Sequence, residues 1–149
     1  MRYEKELQQL RELVRSAQRS EDAQSRVVIF LRENFSHYNW VGIFRLEGHS
    51  LVLSAYQGKT PTGFSTIPEG RGICGAVAKS MKTEVVPDVN ADARYLACFA
   101  ETRSEIVVPI IREGRFWGEI AVDSHQPDAF DKDDIALLEA VAGLLAERV

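Results

Sequence analysis

The 149 residues carry a formal charge of −4, with 45% hydrophobic and 27% charged side chains. These proportions suit one folded domain around one core and exclude a disordered chain. The acidic balance offers no long-range attraction to DNA, RNA or anionic lipid, and no basic run is interleaved with aromatics, so neither nucleic acid nor membrane is an expected partner. Residues 1–10 are charged and lack the apolar stretch of a secretory signal. The longest apolar runs, 27–31 and 106–111, are too short to span a bilayer. The expectation is a cytoplasmic protein whose two cysteines, Cys74 and Cys98, rest reduced.

In chain order, Tyr3, Leu7, Leu10, Val14 and Ala17 fall on one stripe and predict a helix over 3–18. Their heptad-like spacing suits the chain's own core or a partner helix equally. Ser20 reads as the N-cap of a second helix, with Glu21 and Asp22 at its positive end and Val27, Val28, Leu31 and Phe35 as its apolar face. Trp40–Leu46 and Leu51–Tyr56, separated by a Glu-Gly-His-Ser turn, read as a hairpin. Gln57–Gly72 is rich in glycine and proline and reads as one long loop, a length that is usually functional inside a compact domain. A short helix over 73–80 and a short strand over 84–86 follow, then an irregular stretch over 90–102. Glu105–Ile111 and Phe116–Asp123 form a second hairpin, and Pro109, lacking an N–H, belongs at an edge or a bulge. Alternation in the last strand puts Trp117, Glu119, Ala121 and Asp123 on one face. Asp131 caps a final helix whose stripe is Ile135, Leu138, Val141, Ala142, Leu145 and Val149. Two hairpins flanked by helices predict an α/β (α+β) fold: an antiparallel sheet with the N- and C-terminal helices on one face, in a single domain over 1–149.

Few residues invite chemistry. Gly70-Arg71-Gly72-Ile73-Cys74-Gly75 matches G-x-G-x-x-G, but Pro68 and Glu69 precede it and the next strand is short, so it does not sit in a βαβ unit. Its glycines instead suit a tight approach to a helix start. Cys74 then lies in a first helical turn, where the helix dipole favours the thiolate, although a small buried hydrophobe is the plainer reading. Cys98 lies between strands, outside any periodic pattern. Glu105 and Asp123 stand at strand ends, where they either hold a ligand amine or cap turns. His37, His49 and His125 lack metal-ligand spacing, and the acidic cluster 128–134 lacks the spacing of a calcium loop, so no metal is expected.

Ser104–Ile110, Gly118–Ser124, Phe130 and Asp134 resemble the C-terminal half of GAF domains. That resemblance implies an antiparallel sheet of about six strands with terminal helices. A narrower one spans about 38–124. Tyr38–Gly42, Gln57-Gly58-Lys59, Gly70–Gly75, Asp88-Val89, and Ala97-Cys98 ahead of Ser104-Glu105 resemble the free methionine-(R)-sulfoxide reductases, which reduce the free amino acid in a GAF pocket. The resemblance implies that Cys98 attacks the sulfoxide and that Cys74 is a second redox cysteine. It further implies that Glu105 and Asp123 are acidic substrate-pocket residues and that Trp40 is an aromatic one. It implies no bound cofactor, a Cys98 sulfenic acid resolved to a Cys98–Cys74 disulfide, and a thioredoxin-like protein as reductant.

The sequence departs from that family in three places. Phe64 stands where a third cysteine is usual, Ala121 replaces the first acid of an Asp-Ile-Asp strand end, and Ala93-Arg94-Tyr95 replaces Pro-Gly-His. The alternative reading is a non-catalytic sensory GAF domain that binds a small molecule and signals through terminal helices, paired in a homodimer. A redox sensor without a substrate is a third.

Overall fold

Leucine and valine spaced three and four apart give the first helix, α1 (Glu4–Ser16), a buried stripe of Leu7, Leu10 and Val14. The computed structural model describes residues 1–61, 63 and 65–149. In it this stripe packs on α2 (Ser20–Asn34) and on the C-terminal helix α4 (Lys132–Ala146). The heptad-like spacing of α1 is therefore used inside the chain, and so is most of the α4 stripe, with Leu138, Val141, Ala142 and Leu145 all buried.

Ser20 is not a cap. Arg19 holds that position without a side-chain bond, and Ser20 is the first helical residue, its hydroxyl accepting from Gln24 Nε2. Asp131 does cap α4, accepting from the N–H groups of Asp133 and Asp134 while Asp134 accepts from the Asp131 N–H.

The strands are β1 (Trp40–Glu47), β2 (Ser50–Gln57), β3 (Thr66–Pro68), β4 (Glu84–Val86), β5 (Ser104–Arg112) and β6 (Arg115–Ser124). They form one antiparallel sheet in the order β3-β2-β1-β6-β5-β4. The predicted hairpins are β1–β2 and β5–β6, and β1 pairs with β6 to join them. The stretch 57–72 is not wholly loop: Thr66–Pro68 adds β3 to the edge of β2. Pro109 lies past the end of β4, whose pairing stops at Val107, so its missing N–H falls on an uncovered part of β5.

The two faces of the sheet bury different partners. Val41, Ile43, Ile106, Val108, Ile110, Ile120 and Val122 pack under α1, α2 and α4. Trp40, Phe44, Leu51, Ile67, Val107 and Ala121 face the short helix α3 (Gly72–Ser80) and the 89–99 segment. One expected position changes face. Ile110 pairs with Gly118 and Ile111 with Phe116, which makes Trp117 the extra residue of a bulge. Alternation resets there, so Trp117 packs toward the helices while Glu119, Ala121 and Asp123 keep the other side. Among the described residues no helix is long and apolar enough to cross a membrane.

Candidate active site

The α3 face of the sheet encloses a hollow of about 460 Å³, counting its open mouth, lined by Trp40, Phe44, Ile67, Cys74, Tyr95, Cys98, Phe99, Glu105, Ala121 and Asp123 among others. Five candidate residues named from sequence meet here: Cys98, Cys74, Trp40, Glu105 and Asp123. Phe64 lies outside the described residues.

Trp40 opens β1. Two residues on, Gly42 has no side chain, and a Cβ there would overlap the Trp40 ring. The vacancy at Gly42 is thus the space the indole occupies. The ring stacks on Tyr56 (centroids 6.1 Å apart) and meets Phe99 at 5.6 Å, while Nε1 donates to the Lys59 carbonyl at 3.0 Å. These contacts fix the orientation of the indole at the pocket wall.

Cys74 is placed by the glycine-rich turn. Gly70 N–H donates to the Gly75 carbonyl, and a Cβ on Gly75 would come within 2.8 Å of the Gly70 nitrogen. The chain therefore folds back on the first turn of α3. The preceding strand is the antiparallel edge strand β3, so this glycine-rich turn does not open a dinucleotide-binding βαβ unit. Cys74 is the third residue of α3, as expected, but the helix terminus does not set its acidity. Burial pushes its thiol well above the ordinary range, helped by the Glu119 and Glu105 carboxyls. Cys98 is half-buried, and burial followed by the nearby Asp123 pushes its thiol up to about 11. Both cysteines are free thiols.

Glu105 and Asp123 are cross-strand partners on β5 and β6, and both are buried. Neither caps a turn. Burial pushes the Glu105 carboxyl well above its ordinary range, and the neighbouring Asp123 charge adds to this; burial also raises Asp123. Two carboxyls so close cannot both ionise readily, so the pair retains a proton. Thr102 Oγ1 donates to Asp123 Oδ2 at 3.4 Å. Asp123 Oδ1 and the Tyr95 hydroxyl have no well-formed hydrogen bond among the described residues. Both residues line the hollow, so these unpartnered atoms lie in its wall.

The departures from the resembled family have structural consequences. Arg94 pairs with Asp92 at 2.7 Å and with Glu84 at 3.2 Å, tying the segment before Cys98 to β4, and its neighbour Tyr95 lines the hollow. Ala121 leaves the pocket floor small and apolar between Glu119 and Asp123. Glu119 does not line the hollow but lies on the same face of β6 as Ala121. It is wholly buried, and neither carboxyl oxygen has a well-formed hydrogen bond among the described residues. The signal for this was available: a charged residue at an alternating inward position of an apolar strand.

His125 stands beside the hollow, near Asp123, while His37 and His49 lie elsewhere. His37 Nε2 is 2.8 Å from Asp134, which also accepts from the Tyr38 hydroxyl at 2.7 Å, so Asp134 anchors α4 rather than a ligand. Among the described residues no three His, Cys, Asp or Glu side chains are grouped to hold a metal.

Three comparisons bear on this arrangement. The family model described as "GAF domain" matches residues 4–149. The chain is 40% identical over 111 residues to the free methionine-R-sulfoxide reductase of Saccharomyces cerevisiae, covering 72% of this chain but 61% of that protein, less than two thirds of its length. It is 35% identical over 115 residues to the free methionine-R-sulfoxide reductase of Escherichia coli, covering 76% of this chain and 68% of that one. The solved structure of the Neisseria meningitidis free methionine-R-sulfoxide reductase, in complex with its substrate, superposes with a TM-score of 0.93. It is 33% identical, over 98% of this chain and 87% of that one.

Proposed function

We propose that this chain, which belongs to the GAF domain family and within it to the free methionine-R-sulfoxide reductases, reduces free L-methionine-(R)-sulfoxide at the expense of thiols. The observation that carries the reading is convergence. Cys98 and Cys74 share one hollow with a proton-holding pair, Glu105 and Asp123, and with the fixed indole of Trp40, although these residues come from separate elements.

Trp40 and Phe99 receive the methylsulfinyl group, where sulfur–aromatic contact is favourable. Asp123, the more readily ionised member of its pair, suits the substrate ammonium. Cys98 attacks the sulfoxide sulfur as its thiolate, and Glu105, which holds a proton, delivers it to the departing oxygen. The adduct formed by this attack collapses by passing its hydroxyl from the substrate sulfur to the Cys98 sulfur: the bond between the two sulfurs and the substrate sulfur–oxygen bond both break, methionine leaves and Cys98 becomes a sulfenic acid. The Cys74 sulfur then displaces that hydroxyl as water and forms a Cys74–Cys98 disulfide. A thioredoxin-like dithiol restores both thiols by exchange.

The test is NADPH consumption with thioredoxin, thioredoxin reductase and free L-methionine-(R)-sulfoxide, with the S epimer as control. R-selective turnover that requires Cys98 is the expected result. Ala121, which removes a carboxyl from the pocket floor, favours a second reading: a sensory GAF domain that binds a small molecule without turning it over. Absence of turnover by folded, fully reduced protein would select that reading.

A further inference from the structure

Glu119 is unused by the reaction just described. It lies on the pocket face of β6, two residues before Ala121 and four before Asp123, wholly buried. Neither of its oxygens has a well-formed hydrogen bond among the described residues. Helix α3 packs on β6, and Cys74 is buried in that same layer, where its thiol and the Glu119 carboxyl act on each other. Burying an unpartnered carboxyl is costly, and its same-face neighbours Ala121 and Phe44 show that an apolar side chain suits this interior. Packing does not call for a carboxyl at this position, but the chemistry of Cys74 does.

Cys74 is buried among three carboxyls, Glu119, Glu105 and Asp123. A bare thiolate released there is poorly solvated and repelled, which makes Cys74 a poor leaving group in thiol–disulfide exchange. Cys98 is more exposed and is the sulfur that an incoming reductant reaches.

We propose that Glu119 is the general acid of disulfide reduction, protonating the Cys74 sulfur as it departs. The inference rests on the Cys74–Cys98 disulfide of the proposed function. A thiolate of the reductant attacks Cys98, the Cys74–Cys98 bond breaks, and a mixed disulfide forms between the reductant and Cys98. The electron pair of the broken bond goes to Cys74, which takes the Glu119 proton, leaving a neutral thiol and a Glu119 carboxylate. The second thiol of the reductant then displaces Cys98. The two protons of the dithiol end on Cys98 and, by way of Glu119, on Cys74. Burial raises the Glu119 carboxyl well above the ordinary carboxylate range, which favours its acid form.

The experiment oxidises reduced protein with one equivalent of hydrogen peroxide and maps the Cys74–Cys98 bond by mass spectrometry. It then follows reduction by dithiothreitol with timed alkylation. Corrected for the thiolate fraction of the reductant, the wild-type rate should hold steady near neutral pH and fall at higher pH as Glu119 ionises. Glu119→Gln should reduce at least tenfold more slowly, the lower end of what a general acid contributes being about a hundredfold, and should lose that fall. A wild-type rate and pH profile in Glu119→Gln would overturn the inference. Should that variant fail to fold, a wild-type profile without the alkaline fall would overturn it as well. If no Cys74–Cys98 disulfide forms in the wild type, the disulfide reading itself fails and takes this inference with it. A disulfide that forms and is reduced without regard to Glu119 overturns the inference alone.

Discussion

Cys98 and Cys74 differ in what surrounds the sulfur rather than in chemistry. A Cys98 thiol pushed up to about 11 is almost wholly protonated at neutral pH. Its reaction with iodoacetamide should therefore climb about tenfold per pH unit from pH 7 to 10, because only the thiolate reacts. Cys74, buried and pushed higher, should lag behind it across that range, which peptide mapping of the labelled protein can follow. Cys98→Ser should abolish turnover in the coupled assay while changing unfolding free energy by less than about 1 kcal/mol, since the side chain is only half-buried. Glu105→Gln keeps the size of the side chain and removes its acidity. It should lower kcat by at least about a hundredfold, the usual scale of a general acid.

At the scale of elements, the helix caps and the sheet register decide where these residues stand. Asp131 closes a reciprocal cap on α4, so Asp131→Ala should cost about 1 kcal/mol in urea unfolding. Tyr38→Phe deletes the hydroxyl donated to buried Asp134 and should cost about 1 kcal/mol or somewhat more, because that carboxyl loses one of its partners. The Asp131 cap was legible in the sequence because capping chemistry is local. The hairpins were legible for the same reason: alternating β-formers flank short turns. Three features were not. Ser20 carries cap chemistry one residue inside its helix, where nothing local distinguishes N-cap from first turn. Strand β3 is three residues long and exists because the edge of β2 offers it a partner, a fact of tertiary placement. Trp117 obeys alternation in sequence and breaks it in space, since a bulge is set by the register of β5 against β6. Of the pocket, Cys98, Cys74, Trp40, Glu105 and Asp123 were legible through family resemblance, whereas Glu119 matched no expected motif and shows its character only as an unpartnered buried carboxyl.

For the molecule as a whole, the buried acids tie stability to pH. Glu105, Glu119 and Asp123 all hold their protons more tightly in the fold than in an unfolded chain. Between the two sets of pKa values the native state binds more protons, so unfolding free energy falls as pH rises from the ordinary carboxylate range through the raised folded values. Denaturant titrations at pH 5, 7 and 9 should show a steady decline, and Glu119→Gln should flatten it. The division of the sheet into two unlike faces has one more outcome. The chain has two tryptophans, and the bulge at Trp117 sends one toward the helices while Trp40 stays in the pocket. The two indoles therefore report on separate halves of the protein, and Trp117→Phe would leave a single emitter whose fluorescence follows the state of the pocket without any added label.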